Sequence, residues 1–277
     1  MGKRIFSTIL LWSVVFCALW FFRATGAIVL TAVVSVMTLH EFYKLMRGMG
    51  YSPFAKVGLI FGGLITLAPL LEREWGVPMA LLLALATIVF SVRLLGERTP
   101  ENRVDALCSS IFGLVYVSLM LQYLVRIILP QPGDTIPADG RLILCLWLVA
   151  TTKFCDMGAL LTGMAIGQHK MSPQISPKKT WEGAAGGVVF SMAIAATIAH
   201  FARDIFPAHV TPLNAALMAI PIALLGIVAD LVESVIKRRA NSKDSGASIP
   251  GLGGFFDMSD SLILVAPVAY FFFGLWR

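Results

Sequence analysis

Nine apolar runs, each close to the length that carries a helix across a bilayer, constrain this chain more than any other feature. They fall at 5–22, 24–40, 57–72, 77–95, 108–128, 142–165, 184–203, 212–236 and 260–276. Inside lipid every backbone N–H and C=O must bond within its own segment, so runs of this length read as helices. The expected fold class is an all-α integral membrane protein of about nine transmembrane helices, one polytopic domain over 1–277. Only 14% of the residues are charged, against about 25% in a soluble domain. The mean hydropathy of +0.81 agrees. The basic start MGKR before the first run reads as a retained span rather than a cleaved leader.

The basic residues fix an orientation. With the N-terminus cytoplasmic, the inner segments hold fourteen Lys and Arg and the outer ones five. That bias is the positive-inside pattern, and it puts the C-terminus outside. Topology accounts for the net charge of +6, so nucleic acid is not needed as a partner. Cys17, Cys108, Cys145 and Cys155 lack paired or metal-ligand spacing and read as small apolar residues. The histidines are dispersed and form no cluster with cysteine, which argues against a zinc site. Residues 1–130 contribute spans and little evident chemistry; Glu41 and Lys44 read as a surface i,i+3 pair. The polar weight lies in 141–277.

Three segments there carry chemistry. In TTKFCDMGALL (151–161), Lys153 and Asp156 share a helical face within an apolar run. They form either a buried ion pair that fixes helix packing or, through Asp156, the wall of a polar cavity. In GQHKMSPQISPKKTWEG (167–183), two Ser-Pro steps set turns and Thr180 is placed to cap the next helix. Lys178 and Lys179 then stand beside a helix N-terminus, where an anion is favoured, which makes Ser176, Lys178, Lys179 and Thr180 candidates for substrate binding. Gly183 and Gly187 form a small-xxx-small pair for close helix packing.

The third segment is SVIKRRANSKDSGASIPGLGGFFDMSD (234–260), together with the end of the run before it. Asp230, Glu233, Ser234 and Lys237 follow i, i+3, i+4, i+7 spacing and make one polar stripe. Asp230 is the deeper acid, and Glu233 can pair with Lys237 at i+4. Beyond it come Arg238, Lys243, Asp244, the turn Gly253-Gly254, and Asp257 and Asp260 at i,i+3. Basic groups hold phosphates, carboxylates hold a hard cation, and glycines let backbone amides approach an anion. The segment reads as a polar site for a phosphate-rich ligand near the cytoplasmic surface. Neither a P-loop nor a GxSxG elbow occurs.

Ser234-x-x-Lys237-Arg238, Lys243-Asp244-x-Gly246-x-x-Ile249-Pro250 and Gly253-Gly254-Phe255-x-Asp257-x-x-Asp260 closely resemble the C-terminal signature of the phosphatidate cytidylyltransferases. SPKKTWEG resembles that family's second well-known stretch, in the same order and on the same face. The resemblance implies that CTP and phosphatidic acid give CDP-diacylglycerol and pyrophosphate at the cytoplasmic side of a bacterial inner membrane. It implies Mg²⁺ as cofactor, with a second or a monovalent cation possible, held by Asp230, Asp257 and Asp244. Lys178, Lys179, Lys237, Arg238 and Lys243 would handle phosphates, and a homodimer is implied as well. Leu252 stands where the family often has His, and Met258 where it often has Arg. A CTP-dependent polyprenol kinase and a transporter of an anionic lipid or metabolite are the competing readings.

Overall fold

The computed structural model describes residues 2–96, 103–131, 136–206, 210–246, 248 and 253–274, with side chains throughout except at 2–12, 14 and 138. Leu252, Ile249 and Pro250 of the signature, together with Asp134, Arg98, His209 and Arg277, lie outside these residues. The described secondary structure is helical apart from one short hairpin. Among the described residues six helices are long and apolar enough to cross a bilayer, seven with one bent pair counted, which makes this an integral membrane protein.

The helices follow the apolar runs. Helix α1 (Gly2–Gly48) is broken at Arg23, whose φ of 45° and ψ of −125° are not helical. Gly26 comes against the carbonyl of Ala18, eight residues back, whereas an unbroken helix would keep such residues about 12 Å apart. The chain therefore bends back sharply where the first two runs abut. The run at 57–72 is a bent pair, α2 (Ala55–Thr66) and α3 (Ala68–Trp75), at 60° to each other. Pro69, at the start of α3, lacks the N–H that would continue α2. Next come α4 (Met79–Leu95), α5 (Arg103–Gly113), a π-helical turn (Leu114–Leu119) and α6 (Met120–Ile128). Then follow α7 (Ala138–Ile166), β1 (Lys170–Ser172), β2 (Ser176–Thr180), α8 (Trp181–Phe201), α9 (Pro212–Arg239) and α10 (Phe255–Gly274).

Two compact units result, one of residues 1–126 with 236–259, the other of 127–235 with 260–277. The first is built round Phe42, whose ring lies 5.7 Å from those of Phe112 and Tyr116 and 5.8 Å from that of Phe256. The buried Tyr43 hydroxyl donates to the Ser110 carbonyl at 2.7 Å. Ser35 bonds Thr66 and Thr38 bonds Ser259, so these four buried hydroxyls have partners.

In the second unit α7 and α8 meet along a seam of small residues. A Cβ on Gly183 would stand 2.8 Å from the Ala159 carbonyl oxygen, and one on Gly187 at the same distance from that of Cys155. Trp147 Nε1 donates to the Ala195 carbonyl at 3.0 Å, and Ser191 Oγ to that of Thr151 at 3.0 Å. The small-xxx-small pair thus serves packing within the chain, and lends no weight to a dimer.

Candidate active site

The segment after α7 forms an antiparallel hairpin in which Lys170 faces Thr180 and Ser172 faces Ser176. Thr180 closes β2 and caps α8 by accepting from Gly183 N at 3.1 Å. Glu182, in the first turn of α8, accepts from the backbone N–H of Gln168 and of His169, each at 3.2 Å. The hairpin is thereby tied to the helix it precedes. Ser176 is half-buried on it, Lys178 is exposed, and Lys179 turns inward to pair with Asp230.

Beside it lies a cavity of about 490 Å³ within the second unit. Asp156, Lys170, Lys178, Lys179, Thr180 and Asp230 supply its polar lining; Leu160, Met164, Met171 and Ile227 supply an apolar one. A cavity with both linings suits a ligand with a charged head and an apolar body. Both readings of Asp156 hold together: it lines the cavity and pairs with Lys153 at 3.4 Å. Lys153 also reaches Ser261 Oγ at 3.1 Å and Asp260 Oδ1 at 3.8 Å.

Asp230, Glu233 and Asp260 each bring one carboxylate oxygen within 4.8 Å of the others. Glu233 is 2% and Asp260 6% exposed, so two of these charges are withdrawn from water. Three oxygen donors with neither His nor Cys among them suit a hard dication and not zinc. Spacing alone brings out Glu233 and Asp260 but assigns neither of them to a metal. Lys237, one turn beyond Glu233 on α9, pairs with Asp257 at 2.8 Å.

The remaining candidates lie in the first unit. Asp257 accepts from Lys237 Nζ, from Ser245 N at 3.1 Å and from Gly254 N at 2.8 Å, and shares with Glu41 the Ser245 hydroxyl, which lies 2.8 Å from Asp257 Oδ2. Gly253 holds φ at 98°, a conformation open to glycine and strained for other residues. Arg238, Lys243 and Asp244 are exposed. Glu41 overturns the surface-pair expectation. It is 2% exposed and accepts from Ser245 Oγ at 3.0 Å, Phe256 N at 2.9 Å and Ser248 Oγ. Its partners lie more than 200 positions away in the chain, so only tertiary structure reveals them.

Helices of membrane length and a cavity lined by paired lysines and carboxylates define a membrane protein with a charged cavity. Residues 2–276 match the model of the cytidylyltransferase family, and the chain belongs to that family. It is 27% identical over 276 residues to the phosphatidate cytidylyltransferase of Synechocystis sp., covering 91% of this chain and 88% of that protein. It is 28% identical over 263 residues to the phosphatidate cytidylyltransferase of Mycobacterium bovis, covering 88% of this chain and 78% of the other. The Thermotoga maritima protein of that name is 30% identical over 193 residues, covering 69% and 67%.

Proposed function

We infer that this protein transfers the cytidylyl group of CTP to phosphatidate, giving CDP-diacylglycerol and pyrophosphate. The observation that carries the reading is the cavity where Lys178, Lys179, Asp156 and Asp230 meet an apolar lining. It offers ammonium groups for phosphate oxygens beside a surface for the body of a lipid. The names of the relatives supply the two substrates.

The lipid phosphate is ionised near neutral pH, so its oxygen attacks the α-phosphorus without a general base. A new P–O bond forms as the bond to the α–β bridging oxygen breaks, and the electron pair leaves with pyrophosphate. The protein's work is to position the two anions and offset their charge. Lys178 and Lys179 carry part of it, with Lys179 released from Asp230 as it engages phosphate. Asp230, Glu233 and Asp260 would hold Mg²⁺, which when bound neutralises charge on phosphate oxygens. The family resemblance assigns Asp257 and Asp244 to metal as well and Lys237, Arg238 and Lys243 to phosphate. It also leaves room for a second or monovalent cation and for a homodimer.

The finer topology is part of this reading: nine spans, N-terminus and site facing the cytoplasm, in a bacterial inner membrane. The reversal at Arg23, the match of each apolar run to a helix or bent pair, and the bias of Lys and Arg support it. The test is reaction of CTP with phosphatidate-containing vesicles, following pyrophosphate and lipid-linked CMP. Wild type releases pyrophosphate in a Mg²⁺-dependent way, and Asp230→Asn and Asp257→Asn each lose most turnover. Release of CDP in place of pyrophosphate would mean a lipid kinase, and flux without turnover a transporter. Near-normal turnover in either variant removes the metal-holding role from that residue.

A further inference from the structure

Helix α10 starts without a capping side chain of its own. The residue before it is Gly254, which has no side-chain oxygen to offer the first free N–H groups. Half of a capping box is nevertheless present, because Asp257 reaches back to Gly254 N at 2.8 Å. The N–H of Asp257 is met by Ser245 Oγ at 3.3 Å, and that of Phe256 by α1, where the Glu41 carboxylate accepts it at 2.9 Å. A Cβ at Gly254 or at Gly246 would overlap that carboxylate, so both glycines make room for it. The same carboxylate accepts from Ser245 and Ser248, gathering the loop and the helix start on one buried anion.

Ser245 joins the two acids. Its hydroxyl lies 3.0 Å from Glu41 Oε2 and 2.8 Å from Asp257 Oδ2, and it accepts from Asp257 N at 3.3 Å. A hydroxyl has one proton to donate, so it serves one carboxylate at a time, and moving Glu41 changes what Asp257 receives. We propose that Glu41 is a positioning residue for Asp257. From α1 it caps α10 in place of the missing side chain and, through Ser245, sets the Asp257 carboxylate against Lys237. This rests on the cytidylyltransferase reading for its effect on turnover, and on geometry alone for its effect on the loop.

The experiment uses the full chain in detergent with phosphatidate and CTP. It compares wild type, Glu41→Ala, Glu41→Gln, Ser245→Ala and the Glu41→Gln/Ser245→Ala double variant. Three quantities are read: kcat with the KM for CTP, amide hydrogen exchange over 242–257, and the folded fraction. Loss of hydrogen bonds to a charged acceptor predicts a fall in kcat of roughly 10- to 100-fold for Glu41→Ala. KM stays within about twofold, and exchange at 245 and 254–257 is faster. Glu41→Gln, which keeps an acceptor for Phe256 N–H, recovers part of the loss. In the double variant the losses combine to less than their product, because both act through one link. Should Glu41→Ala fail to fold, Glu41→Gln and the double variant still decide. Unchanged exchange over 242–257, kcat within about threefold in folded variants, or multiplying losses overturns the proposal. A wild type that makes no CDP-lipid refutes the functional reading instead, and the exchange data then judge Glu41 alone.

Discussion

Asp260 offers the sharpest test of the carboxylate cluster, because its substitution has opposite effects with and without a dication. At an effective dielectric of about 20, two unit charges 4.8 Å apart repel by roughly 3.5 kcal/mol. Asp260→Asn removes two such repulsions, against Asp230 and Glu233, about 7 kcal/mol in all. It also removes an attraction of roughly 4 kcal/mol to Lys153 at 3.8 Å. The side chain of Asp230 is 34% exposed, so water screens part of the difference. About 1–3 kcal/mol remains in favour of the variant when no cation is bound. Asparagine keeps the oxygen that accepts from Ser261 Oγ at 3.1 Å, so the local hydrogen bond survives. With Mg²⁺ the sign reverses, since a ligand bound only by the folded state stabilises it by RT ln(1 + L/Kd), a quantity that keeps growing as the free concentration L rises above Kd.

The assay is thermal unfolding of the detergent-solubilised protein in chelator and across a Mg²⁺ titration. Asp260→Asn melts above wild type in chelator and gains little from Mg²⁺, whereas wild type gains steadily. A variant that melts below wild type in chelator and shows a full wild-type shift with Mg²⁺ refutes the reasoning. In that case the three acids would not share a cation, and Lys153 would be the whole reason for Asp260.

Two further outcomes follow from the second unit. Lys179→Gln, which removes the inward ammonium from the cavity and leaves Asp230 without it, lowers kcat/KM for CTP by about 10- to 100-fold; steady-state kinetics of CDP-lipid formation measures this. Gly187→Val forces a side chain against the Cys155 carbonyl and destabilises the seam by about 1–3 kcal/mol, read as a lower melting temperature with chelator present.

The apolar runs made the helices legible, because in a bilayer length and polarity alone decide what crosses. The break at Arg23 was visible as two runs abutting with a single residue between them. Thr180 was readable as a cap, since capping depends only on neighbours in sequence. The hairpin was not, for strands of three and five residues that include Pro177 show no period. The Lys153–Asp156 pair follows from i,i+3 spacing, but the reach of Lys153 to Asp260 spans 107 positions and belongs to packing. Glu41 was hidden for the same reason. An acid near a lysine on a helix end is usually a solvated pair, and nothing local reveals that two serines and a backbone amide will surround it.

The α7–α8 seam has a mechanical consequence. Where backbones touch through glycines, no long side chain can rotate aside, so the two helices yield together or not at all. Asp156 and Thr180 are both mounted on that stiff plank. A ligand entering the cavity therefore meets one wall that does not adapt to it. Differences in ligand size must then be taken up away from that plank, by the long side chains of Lys178 and Lys179 or by α9 carrying Asp230.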